Sequence, residues 1–484
     1  MASSEAPALH LGGHPLTGIV DIGKTHTRLM LIDSVGELVH KRNTDSRAVP
    51  GALGYDALDV ATTEAWLCEQ LAGLGPLARH LRHLTVSAHG AAVAALRGGE
   101  LALPVADYEW AGFDDRPATL AAQLDPFEAT GSPLLPRGLN MGVQLDWLSR
   151  HAADELAAAD TLLPYGQYWT HWLSGVAGSE LSALGCHTLL WRPREKTFSD
   201  WARHRGWAQK FAPLKPAWAT LGPLRVELAT RLGVPRSVMV HTGVHDSNAC
   251  LARYLHHWPR LTLVSTGTWV VVMAPGAAQR PLDATQDQLA NVSVRGEFVP
   301  TARFMGGREL AVVCAGADPA AASLDRLPAL LARGLRVLPA FSDQGGPFSG
   351  QSGCLAIDGR TLDNAGWLAT LPVEADRATA AAWYAAQMCA WLIEHLGATG
   401  PVVVEGPYAH NPVILAALQT LLGREVLHSL DEVEGTARGS WRLCHWTDPV
   451  SDAPRTAPIS QPAWNASLLQ AAHRHWLAQL PGQD

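Results

Sequence analysis

The sequence predicts an α/β protein of two domains around one cleft, on three observations. The chain has 484 residues, 47% hydrophobic and 17% charged, which suits two or three globular cores. A strand–turn–strand unit rich in Gly and Thr opens it and a similar unit recurs midway, which suggests a duplicated domain. Helical patterns fill the space between, and one Asp sits at a strand end where the two halves meet.

Thr17 to Val20 is short and apolar, and Asp21-Ile-Gly-Lys-Thr-His-Thr follows. Arg28 to Asp33 (RLMLID), Ser34-Val-Gly-Glu and Leu38-Val complete a pattern of strand, polar turn, strand, glycine turn, strand. Ala57 to Leu74 repeats apolar residues at three-and-four spacing and stops at Gly75-Pro76, as a helix does. Val238 to Val244 reads as an apolar strand that ends at His245-Asp246-Ser247-Asn248. The second unit runs Leu261 to Val264, Ser265-Thr-Gly-Thr268, then Trp269 to Met273. The Pro/Gly/Ser-rich run Ser342 to Gly353 reads as a surface loop or lid. Arg377 to Leu396 is an Ala-rich helix closed by Gly397. Val402 to Val404 is a buried strand, and Pro412 to Leu422 a helix ended by Gly423. Strand, glycine turn, helix offers backbone N–H groups and a helix end to a ligand. The domain boundary falls near Asn248, giving 1–248 and 249–484. An Asp at a strand's carboxyl end, between two domains, is where a cleft residue belongs.

Composition narrows the function. The net charge of −8 argues against nucleic-acid and anionic-membrane partners, which reward a basic surface. No apolar run is long enough to cross a bilayer. The N-terminal MASSEAPALHLGGHPL has neither a basic start nor an apolar core, so a secretion signal is not expected and a cytoplasmic location is. The cysteines, 68, 186, 250, 314, 354, 389 and 444, are odd in number, scattered and without a CxxC pair. Reduced thiols suit that pattern better than disulfides or structural zinc. His241 and His245 sit four apart and read as ordinary polar residues near a strand end.

Six segments in order resemble the FGGY carbohydrate kinases, in the actin, hexokinase and heat-shock-protein ATPase superfamily. Asp21-Ile-Gly-Lys-Thr resembles the first phosphate motif, and Ser87-Ala-His89-Gly90-Ala91 the sugar-contacting loop. Asn140-Met-Gly-Val-Gln144-Leu-Asp-Trp147-Leu resembles a family signature that usually has Lys where this chain has Gln144, a position read as structural. His245-Asp246-Ser247-Asn248 is similar to the catalytic segment, and Ser265-Thr266-Gly267-Thr268-Trp269 to the second phosphate motif. Glu405-Gly406-Pro407 with Asn411-Pro412 takes the place of the adenosine motif, where Pro407, Tyr408 and His410 interrupt the usual glycines. That departure leaves open a donor other than ATP. The resemblance implies two actin-like (ribonuclease H-like) α/β domains with a central cleft, and a kinase using ATP and Mg²⁺ on a small sugar. A homodimer is compatible with it.

Within the family, the blocks Leu103 to Glu109, Tyr165 to Trp169, Leu184 to Thr188 and Phe304 to Glu309 resemble a rhamnulose-kinase-like branch. That makes L-rhamnulose the first substrate expected, with fuculose, xylulose, ribulose, erythritol and glycerol as alternatives.

The chemistry suits these residues. Phosphoryl transfer needs alignment, charge neutralisation and exclusion of water. Gly23 and Gly267 let backbone approach phosphate; Lys24, Thr25, Thr27, Thr266 and Thr268 add polar groups, and Gly406 and Asn411 belong to the adenosine side. Asp21 is expected to hold Mg²⁺ through water, with Asp246 a second water-mediated candidate. Asp246 is the expected base for the sugar hydroxyl; the alternative is a cap for a helix beginning at Ser247. His89, Gly90, Gln167, Tyr168, Asn248 and Arg303, with Asp246, are the sugar-binding candidates, and Trp169 could add a wall. Two other classes remain: a nucleotide-switch ATPase and a silent sugar sensor on the same scaffold. His89-Gly90 with Asp246-Ser247-Asn248 argues against the first, and the retained Asp21 and Asp246 against the second.

Overall fold

A computed structural model describes residues 14–481, apart from 279, 344, 432–434 and 449–452. Residues 1–13 of the segment read against a secretion signal lie outside the described residues.

The first half builds a seven-stranded main sheet. β1 (Leu16–Ile22) is buried at every position, as an apolar central strand should be. It pairs antiparallel with β2 (His26–Asp33), which pairs antiparallel with β3 (Leu38–Asp45). Helix α1 (Val60–Ala72) is capped by Asp59 and leads to β4 (Leu81–Ala88), which runs parallel to β1. Helices α2 (Met141–His151), α3 (Tyr165–Ser174) and the short α4 (Leu181–Leu184) follow. β5 (Thr220–Pro223), β6 (Met239–His241) and β7 (Val244–His245) complete the sheet, in the order β5-β6-β4-β1-β2-β3, with β7 also on β4.

Helix α5 (Asp246–Leu255) connects to the second sheet. Its strands are β8 (Thr262–Thr266), β9 (Val270–Met273), β10 (Gln288–Val292) and β11 (Phe298–Phe304), then, beyond helices α6 (Gly306–Cys314) and α7 (Glu374–His395), β12 (Val402–Glu405). Helix α8 (Pro412–Leu422), β13 (Val426–Ser429), α9 (Gly435–Cys444) and β14 (Thr456–Pro458) follow. The order is β10-β11-β9-β8-β12-β13-β14. Each sheet therefore centres on an antiparallel hairpin whose first strand has a parallel neighbour, β4 beside β1 and β12 beside β8. The duplication expected from the two Gly/Thr units is a repeat of this topology.

Every residue of α7 from Arg377 to Ile393 is buried. Its alanines let neighbours close in while Trp383, Tyr384 and Trp391 fill the second core, the behaviour of a helix apolar on all sides. Trp169 packs in the first core and is fully buried, not a wall of the cleft. Helix α9 belongs by sequence to the second half, yet packs on α5, β1 and β4. Ile19, Met30, Ile32, Ala437 and Trp441 form a small core there, and Trp441 Nε1 donates to Asp33 O at 3.0 Å. The seven cysteines are free thiols. No described helix is long and apolar enough to cross a membrane.

Candidate active site

The strand expected over Val238 to Val244 is broken at Thr242-Gly243. Gly243 has φ +82°, and a Cβ there would lie 2.6 Å from Val86 O, so only glycine fits without strain. The break takes the Thr242 carbonyl off the ladder, and Gln167 Nε2 (3.1 Å) and Thr170 Oγ1 (3.2 Å) donate to it instead. β7 then re-pairs with Ser87 and Ala88 of β4. Asp246 thus emerges beside the loop that carries His89.

Helix α5 begins at Asp246, with His245 at the cap position, so Asp246 is not a cap for a helix starting at Ser247. Its side chain is 32% exposed. Oδ1 accepts from the Ser247 backbone N–H at 2.6 Å and from Ser247 Oγ at 3.2 Å, and lies 3.1 Å from His245 Nε2. The helix N-terminus also favours the carboxylate. Among the described residues Oδ2 has no hydrogen-bond partner.

His89 is buried between the rings of Tyr108 and Tyr165, each 5.3 Å away, and its Nδ1–H donates to Gly90 O at 2.8 Å, leaving Nε2 as the acceptor. Burial lowers its pKa, partly opposed by the Gly90 carbonyl and the Asp246 charge. Gln144 Nε2 donates to Ala91 O and, at 2.6 Å, to Gly138 O, so the residue that replaces the usual Lys braces this loop from behind. From the second sheet comes Arg303, whose Nε donates to Asp287 Oδ1 at 3.0 Å and whose guanidinium lies 4.9 Å over the Trp269 ring. Burial first, and then the Arg303 charge, push His187 down to about 3. Asp287 Oδ2 also accepts from Gly346 N–H at 2.7 Å, tying the loop around residues 342–353 to the same corner.

The first hairpin carries Gly23, Lys24 and Thr25 between β1 and β2. Gly23 N–H closes the turn on His26 O at 2.9 Å. Asp21 pairs with Arg28 at 3.1 Å. In the second hairpin Gly267 N–H closes on Trp269 O at 2.9 Å, and Gly307 N–H, at the start of α6, donates to Thr268 O at 3.2 Å. A Cβ on Gly307 would lie 2.3 Å from Gly267 O, so the helix end abuts the hairpin only because this residue is glycine. Among the described residues no protein acceptor takes the N–H groups of Lys24, Thr25 or Thr268. Thr25, Gly267, Thr268 and Gly406 are exposed. Free N–H groups and hydroxyls on two glycine turns fit phosphate oxygens. Tyr408 turns into the second core, leaving the backbone of Gly406 clear despite the interrupted glycines.

Several candidates have other work. Thr27 Oγ1 is buried 3.0 Å from Ser46 Oγ, which donates to Gly23 O at 2.8 Å, so Thr27 supports the turn from inside. Thr266 Oγ1 donates to Glu405 O and accepts from Tyr408 N–H at 3.1 Å. Lys24 is held by Asp107 and, at 3.4 Å, by Glu109. Asn411 caps α8, accepting from the N–H groups of Val413 and Ile414 at 3.1 Å each, and its Nδ2 donates to Pro319 O. Such a cap contributes about 1 kcal/mol to the helix and leaves little of the side chain for nucleotide. Gln167 and Asn248 are fully buried: Gln167 Nε2 donates to Thr242 O at 3.1 Å, and Asn248 Nδ2 lies 3.2 Å from His245 Nδ1. Tyr168 packs in the first core and faces an outer pocket of about 260 Å³ with Glu64, Glu100 and Trp172, away from Asp246. Sequence reasoning missed Ser46, Cys186 as a neighbour of His245, and Gly307. Only Gly307 had a visible signal, the paired glycines before Arg308.

A family profile for the C-terminal domain of FGGY carbohydrate kinases matches residues 259–452. A carbohydrate kinase from Novosphingobium aromaticivorans is 33% identical over 96% of this chain and 98% of its own, with a TM-score of 0.84. A xylulose kinase from Rhodospirillum rubrum is 19% identical over 96% and 98%, TM-score 0.75, and a glycerol kinase from Plasmodium falciparum, solved with ADP, 12% over 97% and 99%, TM-score 0.75. No curated protein sequence matches the chain. With two actin-like domains and this relative along nearly its whole length, the chain belongs to the FGGY carbohydrate kinases and is a phosphotransferase.

Proposed function

We propose that the chain transfers the γ-phosphate of ATP to a hydroxyl of a ketose, L-rhamnulose first, with Asp246 as the proton acceptor. The observation that carries this is the half-exposed Asp246 carboxylate, one oxygen saturated by donors and the other free among the described residues, beside His89. Asp246 orients the hydroxyl and takes its proton; His89, Gly90 and Arg303 border the sugar. Thr25 and Thr268, with the free N–H groups of their turns, and the backbone at Gly406 border the nucleotide. Mg²⁺ would neutralise phosphate charge, held through water by Asp21 and Asp246.

Four blocks suggested the rhamnulose branch, and three supply residues to this region: Asp107 and Tyr108 beside Lys24 and His89, Cys186 beside His245, and Gly307 beside Gly267. In the fourth, Tyr165 packs on His89. Arg303 is neutralised by Asp287, which favours an uncharged sugar over a sugar acid.

The test is ADP release with Mg-ATP against L-rhamnulose, L-fuculose, the xyluloses, the ribuloses, erythritol and glycerol. Strong turnover of L-rhamnulose supports the reading, and turnover of another sugar alone moves the substrate within the family. Asp246→Asn is expected to cut kcat by roughly 10²–10⁴-fold while nucleotide binding by calorimetry stays nearly intact. Full turnover in that variant sinks the base assignment.

A further inference from the structure

Helix α3 serves two sides of the first domain. Toward the cleft, Tyr165 packs on His89, and Gln167 and Thr170 donate to Thr242 O. On another side it floors the outer pocket of about 260 Å³. Tyr168 and Trp172 both line that pocket, and their spacing of four puts them on one helix face. α1 brings Glu64, and the turn after residues 93–97 brings Glu100. Arg225 and the helix Val226–Leu232 close the far side.

The walls are tied to α3 and to each other. His171 Nε2–H donates to Gly99 O at 3.1 Å, next to Glu100. The Arg225 backbone N–H donates to Leu173 O at 2.9 Å. Arg231 Nη2 lies 3.6 Å from Glu64 Oε1 and donates to Cys68 Sγ at 2.8 Å, joining the helix Val226–Leu232 to α1. A pocket held this way is formed before anything enters it, as ligand sites usually are.

Its polar lining is largely unclaimed. Tyr168 is only 6% exposed, yet its hydroxyl has no hydrogen-bond partner among the described residues. Buried hydroxyls nearly always have one, so a phenol that lines a pocket without one points to something that occupies the pocket. Burial, and then the charges of Glu64 and Glu100, raise its pKa to about 12, so it keeps its proton and can donate. Glu100, Arg225 and Glu227 are exposed and have no ion-pair partner among the described residues. Trp172 is half-buried and adds an aromatic surface.

The mixture of charges selects the ligand. Glu64, Glu100 and Glu227 face the same small space as Arg225 and Arg231, so an ion of either sign meets like charge there. Hydroxyl groups donate to carboxylates and accept from guanidinium and phenol alike. The C–H face of a sugar suits an indole surface. The volume is too small for a nucleotide and enough for a monosaccharide.

We propose that this pocket is a second binding site, outside the cleft, for a small uncharged polyol of monosaccharide size. Tyr168 Oη and Arg225 donate to it, Glu100 and Glu227 accept from it, and Trp172 is its platform. The site depends neither on which sugar the cleft phosphorylates nor on the role of Asp246.

The experiment uses the full chain with labelled leucine methyl groups, because Leu228 lines the pocket and reports on it directly. The probes are L-rhamnose and sorbitol, uncharged, and putrescine, inorganic phosphate and glycine, charged. At least one uncharged probe is expected to shift the Leu228 signals saturably, with a Kd of about 1 mM or tighter. Tyr168→Phe is expected to weaken that binding by about threefold to tenfold without lowering the unfolding midpoint, since the hydroxyl has no protein partner to lose. Trp172→Ala is expected to weaken it by at least about tenfold. Glu100→Gln is expected to weaken it by about threefold, with ADP release on the cleft sugar as in the wild type. No saturable shift with either uncharged probe overturns the proposal, and so does a response to charged probes alone. Unchanged affinity in both Tyr168→Phe and Glu100→Gln places the ligand elsewhere and overturns it as well. Should Trp172→Ala fail to fold, those two variants decide.

Discussion

In the hairpin between β1 and β2 the Gly23 N–H closes the turn on His26 O at 2.9 Å, and between β8 and β9 the Gly267 N–H closes on Trp269 O at the same distance. Around those matching turns the supports differ. The first is braced by side chains of its own half: Ser46 beneath Gly23 and Thr27, Asp107 and Glu109 around Lys24. The second is braced by distant backbone: Gly307 N–H on Thr268 O, and the Glu405 carbonyl and Tyr408 N–H on the Thr266 hydroxyl. In both, a threonine that looks like a phosphate ligand is a structural pin, whereas Thr25 and Thr268 are exposed. A shared motif thus specifies the turn but not the use of each hydroxyl.

The comparison is most sharply tested at Gly307. Gly307→Ala drives a Cβ to 2.3 Å from Gly267 O and is expected to raise the nucleotide KM by at least about tenfold and cost about 1–3 kcal/mol in denaturant unfolding. An unchanged KM would mean that the second hairpin does not depend on α6. Ser46→Ala leaves the Gly23 carbonyl and the Thr27 hydroxyl without their partner, and about 1–2 kcal/mol of lost stability should appear in the same unfolding curve, with a smaller rise in KM. The exposed and pinned threonines should then separate. Thr268→Ala is expected to raise the nucleotide KM by about threefold to tenfold without changing stability, while Thr27→Ala should lower stability by about 1 kcal/mol and leave KM within about twofold. The reverse pattern would exchange the roles assigned to the two hydroxyls. The smallest effect on KM is expected at Lys24→Met: its partner Asp107 is buried and loses its cation, so stability should fall by about 1–3 kcal/mol while KM hardly moves. A tenfold rise in KM would show Lys24 leaving Asp107 for phosphate and would make the two hairpins less alike in their supports than the structure has them.

Much of the fold was legible. The pattern Pro412 to Leu422 is the helix found, residue for residue, and the Ala-rich stretch from Arg377 is α7 with three more residues at its start. Asp246 at a strand end was legible because an apolar run followed by a lone carboxylate is a local pattern. The division of Val238 to Val244 was not, since the break at Gly243 depends on the approach of Val86 from another strand.

What the sequence determined by itself was the elements, the repeated hairpins and the residue types that phosphoryl transfer needs, because periodicity and turn chemistry act between residues a few positions apart. What only the tertiary structure decided was which of those residues are free. Lys24 meets Asp107 across 83 positions, His245 meets Cys186 across 59, and Thr266 meets Glu405 across 139. A hydroxyl or amide is available to a ligand only if no such distant partner has claimed it, and that is settled by which faces the folded sheets and helices turn toward one another.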